Sequence, residues 1–268
     1  MTALLEVDGL TKTFAAGGPP WRRRFVHALT EVSFALEAGR TLGVVGESGS
    51  GKSTLGRCLL ALSTPDAGSI RFDGADLGSL SRSGLADFRR RVQPVFQDPY
   101  ASLDPRWSVG RSVREALDVF RIGSTLDREQ RVRELFDRVG LNPELAERMP
   151  RQLSGGQRQR VGIAAALATE PQLIVADEPV SALDVSVQAQ ILNLFRDLQR
   201  DLGVAAVFIT HDLSVVEHIS HDIAVMHLGR LVEFGRASEV LARPQHPYTR
   251  SLLAAVPPAI PTRTHPHN

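Results

Sequence analysis

Lysine is nearly absent from this sequence, and cysteine is rarer still. Of the 31 basic residues only Lys12 and Lys52 are lysines, so we expect those positions to need a compact ammonium rather than a guanidinium. The single cysteine, Cys58, excludes an intrachain disulfide and any four-cysteine metal or iron–sulfur site. No apolar run approaches the roughly 20 residues that span a bilayer, so we expect no transmembrane helix.

The chain also lacks an excess of either charge. Its 31 basic and 30 acidic residues leave a net charge of +1, which gives no electrostatic case for binding nucleic acid. Residues 1–6 lack a basic region followed by an apolar stretch, so we expect no secretory signal and a cytosolic location. With 268 residues, 43% of them hydrophobic, the composition is that of a soluble globular protein.

Hydrophobic patterning predicts an α/β fold. Alternation over residues 4–10 predicts an edge strand, and the Gly/Pro-rich segment 15–24 predicts a loop. Strand, helix and strand in succession imply parallel pairing, whereas the helical stretch from about 98 to 165 interrupts this order as an inserted subdomain. Further strands are predicted at 32–36, 41–45, 173–176 and 204–209, and helices at 52–62, within 111–140, at 154–168 and at 188–202.

The segment after the strand at 41–45 fits the phosphate-loop pattern G-x-x-x-x-G-K-[ST]. It reads Gly46, Glu47, Ser48, Gly49, Ser50, Gly51, Lys52 and Ser53. Its glycines let backbone amides point inward at phosphates, and the following helix N-terminus adds partial positive charge. We expect Lys52 to reach the β- and γ-phosphates of a nucleotide and the Ser53 hydroxyl to hold Mg²⁺.

Two carboxylates end the buried strand at 173–176. Asp177 and Glu178 precede a proline and lie where parallel strands present ligand-binding residues, at the carboxyl edge of the sheet. Beside a phosphate loop, Asp177 is expected to face Mg²⁺ and Glu178 to polarise the attacking water. The alternative is a solvated pair of acids followed by a turn.

A further motif set narrows the class. Leu153, Ser154, Gly155, Gly156 and Gln157 precede a helix; Gln97, the Ser181–Asp184 segment and His211 complete the set. Over residues 4–257 the chain resembles the ATP-binding subunit of an ABC transporter. The resemblance implies a P-loop NTPase (RecA-like) core with an inserted α-helical subdomain and an N-terminal antiparallel β subdomain. It divides the chain into a core (1–97 and 165–242), a helical signature subdomain (98–164) and a C-terminal extension with a disordered tail (243–268).

The resemblance also implies residue roles. Glu178 would be the catalytic base, with His211, Gln97 and Lys52 as the other catalytic residues. The Mg²⁺ ligands would be Ser53, Gln97 and Asp177. ATP would be bound by residues 46–53 with Thr54 and Asp177, and its adenine would stack on Phe14, unless Trp21 or Phe25 takes that place. The ATP of an opposite subunit would contact Ser154, Gly155, Gly156, Gln157 and Asp184.

Two segments resemble the oligopeptide/dipeptide/nickel importers, the first their C-terminal extension and the second the glutamine-loop region of their second ATPase. These are Gln245–Leu253 and Phe96–Arg106. They imply a different ATPase as partner, two permease subunits, indirect work with an extracytoplasmic binding protein, no nucleic acid, and a place on the cytoplasmic face of the inner membrane. Di- or oligopeptides are the expected cargo; nickel, glutathione or a sugar is the alternative. Rivals outside transport are a translation or DNA-repair ATPase and a non-enzymatic regulatory cassette.

Overall fold

The computed structural model describes residues 3–16, 24–97 and 103–255. It contains a four-stranded antiparallel sheet and a six-stranded, mostly parallel sheet. The first sheet is formed by β1 (Leu5–Ala16), β2 (Arg24–Leu36), β4 (Ala67–Phe72) and β5 (Ala75–Asp76). The second is formed by β3 (Thr41–Val45), β6 (Val92–Val95), β7 (Leu173–Asp177), β8 (Ala205–Thr210), β9 (Asp222–His227) and β10 (Arg230–Arg236).

The antiparallel sheet corrects two predictions. Its strand order is β2-β1-β4-β5, so the strand predicted at the sheet edge, 4–10, lies between two partners. The predicted loop 15–24 is wrong at its ends, because Ala15 and Ala16 belong to β1 and Arg24 begins β2. Residues 17–23 of that loop lie outside the described residues. The N-terminal antiparallel subdomain itself is confirmed.

The six-stranded sheet has the order β10-β9-β3-β8-β7-β6 and positions the candidate site. Strands β9, β3, β8, β7 and β6 pair in parallel, as the sequence predicts, and β10 is antiparallel to β9. Every residue of β3 and β8 is buried, which explains why these segments are continuous apolar runs rather than alternating ones. Their carboxyl ends therefore meet at one edge.

Nine α-helices accompany the sheets in the described residues. They are α1 (Lys52–Leu59), α2 (Arg82–Arg91), α3 (Val109–Val119), α4 (Thr125–Arg138), α5 (Gly155–Leu167), α6 (Val185–Leu202), α7 (Leu213–Ile219), α8 (Ala237–Ala242) and α9 (Pro247–Ala254). The stretch 111–140 is split into two helices at Arg121 and Gly123, both of which have positive φ. None of these helices is long and apolar enough to cross a membrane.

The parallel sheet has a hydrophobic cluster on each face. One cluster joins the helical segment, through Phe136 and Ile163, to Ile174 and Phe208 of the sheet. The other joins the antiparallel sheet and α1 to the strands. The helical segment from α3 to α5 therefore shares its core with the sheet; its boundaries at 98 and 164 remain a prediction, and residues 98–102 lie outside the described residues.

Candidate functional site

The phosphate loop lies between β3 and α1 and approaches neighbouring backbone very closely. A Cβ at Gly46, where φ is +154°, would lie 2.1 Å from the carbonyl oxygen of Met226. A Cβ at Gly51, where φ is +103°, would lie 2.2 Å from the carbonyl oxygen of Ala28. Because both obstacles are backbone atoms, no side chain fits at either position.

Lys52 is buried inside this loop. Its ammonium donates to the carbonyl oxygens of Gly46 (2.7 Å) and Glu47 (2.8 Å) and lies 3.4 Å from Ser50 Oγ. Burial lowers the pKa of Lys52 from its ordinary value, while the carboxylates of Glu178 and Asp177 act in the opposite direction. The loop thus holds a desolvated cation whose hydrogen-bond partners among the described residues are neutral groups.

Asp177 lies beside the first turn of α1. The Ser53 hydroxyl donates to Asp177 Oδ1 over 3.2 Å. Burial raises the pKa of Asp177, the hydrogen bond from Ser53 lowers it, and the neighbouring Glu178 raises it further, with a net upward shift. A hydroxyl and a carboxylate thus lie together as hard oxygen donors, the type that Mg²⁺ prefers.

Glu178 and His211 come from adjacent strand ends. Glu178 Oε1 lies 3.1 Å from His211 Nδ1, and the Glu178 amide donates to the Ile209 carbonyl of β8 over 2.8 Å. These two atoms lie within hydrogen-bonding distance, with the donor set by the tautomer of His211. Glu178 has a φ of +48°, an uncommon backbone conformation that is enriched at functional sites.

Gln97 lies at the same sheet edge. Val95 of β6 pairs in parallel with Ala176 of β7, so Gln97, two residues further on, follows β6 where Asp177 ends β7. Its side chain is exposed.

The signature residues form the start of α5. The Ser154 hydroxyl accepts from the Gln157 amide and the Gln157 side chain accepts from the Ser154 amide, which is a capping box. A Cβ at Gly156 would lie 2.6 Å from Val187 of α6, and one at Gly155 would lie 3.3 Å from Leu183. No hydrogen bond joins residues 154–157 to the phosphate loop in the described part of the chain. Asp184 is the N-cap residue of α6.

The candidate adenine residues lie on the antiparallel sheet. Phe14 is 43% exposed on β1, and Lys12 Nζ lies 5.6 Å from its ring centroid. Phe25 is also exposed but pairs with Ala15, one position along from the Phe14–Val26 pair. Trp21 lies outside the described residues. The choice among the three stays a prediction.

Sequence reasoning missed two groups that support the phosphate loop. The Gly229 amide donates to the Ser50 carbonyl over 3.0 Å, and the hydroxyl of Tyr248 accepts from the Glu47 amide over 3.0 Å. The Leu228-Gly229 pair between two apolar segments was a turn signal, but nothing local placed that turn against the loop. Tyr248 lies within a segment that the resemblance singled out, without a role.

Comparisons with known proteins place the whole chain in a family. A profile of the ABC transporter family matches residues 29–181, and one of the oligopeptide/dipeptide transporter C-terminal region matches residues 232–267. A probable peptide ABC transporter ATP-binding protein of Sinorhizobium fredii is 51% identical over 97% of this chain and 74% of its own length. The glutathione import ATP-binding protein of Salmonella paratyphi A is 53% identical over 98% of this chain, which spans 42% of that protein.

Solved structures are similar as well. The ATP-binding cassette MJ0796, determined as a dimer bound to ADP and phosphate, has a TM-score of 0.77 and 30% identity, covering 87% of this chain and 98% of that one. A subunit of an ABC transporter complex from Clostridium perfringens has a TM-score of 0.77 and 29% identity, covering 90% of this chain and 91% of that one.

Proposed function

Because this chain belongs to the ATP-binding subunits of ABC transporters, we propose that it hydrolyses ATP to drive import of di- or oligopeptides through a membrane permease. One observation carries the ATPase part: the phosphate loop, Asp177 and the Glu178–His211 pair converge at one sheet edge. The cargo part is supported by the match of residues 232–267 to the oligopeptide/dipeptide transporter region and by the names of its relatives.

The phosphate loop is proposed to bind the triphosphate. Residues 46–54 supply backbone amides and hydroxyls, and the desolvated Lys52 ammonium exchanges the carbonyls of Gly46 and Glu47 for phosphate oxygens. A phosphate anion offsets the free-energy cost of desolvating this ammonium better than neutral carbonyls do. Ser53 and Asp177, with Gln97 nearby, would hold Mg²⁺, which offsets phosphate charge when bound.

Glu178 is proposed as the base that orients and deprotonates the attacking water. His211 contacts the Glu178 carboxylate, and the left-handed backbone of Glu178 fixes where its side chain begins. His211 is more than half exposed, so it can also contact the γ-phosphate.

The second half of each site is proposed to come from a partner ATPase. Between Ser154 and Gln157, the amides of Gly155 and Gly156 lie in the first turn of α5, where the helix supplies no acceptor, and they can bind the γ-phosphate of an opposite subunit's ATP. The structure of a related cassette is dimeric. We propose a different, second ATPase as the partner here, on the resemblance of residues 96–106.

The assembled unit is proposed to sit on the cytoplasmic face of the inner membrane. The two ATPases would bind two permease subunits, which receive cargo from an extracytoplasmic binding protein. Glutathione is the second candidate cargo, because a 53%-identical relative carries that name.

Uptake in a strain that lacks this gene tests the proposal. We expect loss of labelled dipeptide or oligopeptide uptake, restored by the wild-type gene and not by Lys52→Ala, since that variant lacks the proposed phosphate-binding cation. Glutathione uptake is measured in parallel. Normal peptide uptake in a strain with no redundant importer, together with lost glutathione or nickel accumulation, would overturn the peptide assignment.

A further inference from the structure

The C-terminal helix α9 is tied to the parallel sheet by a carboxylate. Glu233 of β10 accepts hydrogen bonds from the amides of Gln245 (2.7 Å) and His246 (3.0 Å), which immediately precede the helix. His246 then caps the helix by accepting from the Tyr248 amide, and Pro247 occupies its first turn. The approach of α9 to the sheet is therefore fixed before the helix begins.

The inner face of α9 packs beside the start of the phosphate loop. Leu252 and Leu253 join a hydrophobic cluster that contains Val45, the last residue of β3. Thr249 is fully buried. Because Val45 directly precedes Gly46, α9 and the loop share a support.

Tyr248 makes the direct contact. Its ring stacks on His227 with centroids 3.9 Å apart, and its hydroxyl accepts from the Glu47 amide over 3.0 Å. That amide belongs to the same peptide unit as the Gly46 carbonyl, which accepts from Lys52 Nζ over 2.7 Å. Without nucleotide, Tyr248 and Lys52 thus hold opposite edges of one peptide unit. The Tyr248 bond involves the amide edge, so it does not depend on Lys52 and holds the peptide unit when Lys52 turns to phosphate.

We propose that Tyr248 is a positioning residue of the nucleotide site: its hydroxyl fixes the Gly46–Glu47 peptide unit and, through it, the phosphate loop around Lys52. The inference rests on the proposed role of that loop in binding nucleotide. Without the hydroxyl, the Glu47 amide turns to water and the peptide unit is free to rotate. Nucleotide binding must then order the loop, and that ordering costs affinity.

The experiment uses the full chain and the change Tyr248→Phe, which keeps the ring on His227. We expect titration calorimetry with Mg·ADP to give about two- to tenfold weaker binding, the range for one net hydrogen bond. The melting temperature of the nucleotide-free protein should stay near that of wild type, and the NMR signal of the Glu47 amide should move upfield. Ser251→Ala is the matched control, because it removes another hydroxyl from the same helix, one that donates to the Tyr248 carbonyl and has no hydrogen bond to the phosphate loop in the described residues.

A second variant tests whether α9 acts on the phosphate loop through Tyr248. Glu233→Ala loosens the approach of α9, so it should weaken ADP binding in the wild-type background and have little further effect in Tyr248→Phe. Additive effects would overturn the proposal, as would unchanged affinity in Tyr248→Phe beside lost affinity in Lys52→Ala. Undiminished binding by Lys52→Ala would overturn the phosphate-loop proposal and this inference with it.

Discussion

Glu178 is held from several sides at once. Its amide is bonded to Ile209 of β8, its carbonyl accepts from the Ser181 hydroxyl, and its carboxylate contacts His211. A left-handed backbone is uncommon at a non-glycine residue, and at Glu178 these contacts hold it in place. The side chain is thereby directed to one place, as the proposed role of a base requires.

Glu178→Gln tests that role. The amide keeps the shape of the side chain but cannot take a proton, so ATP hydrolysis by the assembled transporter should fall by roughly two or more orders of magnitude. ATP binding should persist, since Lys52 and the loop are unchanged. Glu6→Gln, at an exposed position on β1, is the control for loss of one negative charge. Hydrolysis at the wild-type rate in Glu178→Gln would remove Glu178 from the mechanism.

For single residues, the sequence predicts those site positions that follow from motif spacing and from the ends of strands. Gly46–Ser53, Asp177 and His211 each follow an apolar run, and parallel strands bring such residues to one edge. The Tyr248–Glu47 contact could not be predicted from the sequence, because it joins residues 201 positions apart. It depends on how α9 packs against the sheet, and no local pattern encodes that packing.

Among the elements, the phosphate loop depends most on its neighbours. The carbonyl oxygen of Met226 in β9 faces Gly46, and the carbonyl oxygen of Ala28 in β2 faces Gly51. Gly49, by contrast, has open space where a Cβ would lie, although its φ is +81°. Gly46 and Gly51 therefore lack a side chain because backbone stands in its place, whereas at Gly49 only the left-handed backbone favours glycine.

Gly46→Ala and Gly49→Ala separate these reasons. Gly49→Ala adds only the left-handed backbone penalty, so its melting temperature should fall by about 2–8 °C. Gly46→Ala adds a collision with Met226, and its melting temperature should lie a further 3–10 °C lower, in line with the cost of overpacking. Both are measured without nucleotide by circular dichroism. Equal melting temperatures would mean that the loop moves freely away from β9.

Element positions were less predictable than element types. The segment 4–10 alternates between apolar and polar residues, which predicted an edge strand, yet β1 lies inside its sheet. An interior antiparallel strand shows the same alternation when one face of its sheet is buried and the other is exposed. Within 111–140 the apolar residues have helical spacing on both sides of the break at Arg121 and Gly123, so helical spacing alone did not locate the break.

For the whole molecule, the shared core couples the signature helix to the ATP-binding sheet. Ile163 of α5 and Phe208 of β8 belong to one buried cluster, so the helical segment cannot shift without disturbing the packing over the sheet. Such coupling suits a subunit that passes the consequences of nucleotide binding to a permease.

The proposed heterodimer is testable on purified components. This chain retains every proposed site residue, but the other half of each site would come from the second ATPase. We expect the isolated protein to be largely monomeric and slow at hydrolysis, and co-expression with the partner ATPase and both permeases to raise the rate. Size-exclusion chromatography with light scattering and a phosphate-release assay check this. A stable ATP-dependent homodimer that transports fully with the permeases alone would refute it.

The shortage of lysine leaves the folded chain with few chemical handles. Lys12 is paired with Asp66, Lys52 is buried in the loop, and Cys58 is buried with a raised pKa that keeps it a thiol. Amine- and thiol-directed dyes therefore find little to modify on the described surface. Cysteines introduced at the exposed Leu126 of α4 and the exposed Glu6 of β1 would carry a donor and an acceptor dye almost alone, so single-molecule distance measurements could follow the helical segment relative to the antiparallel sheet.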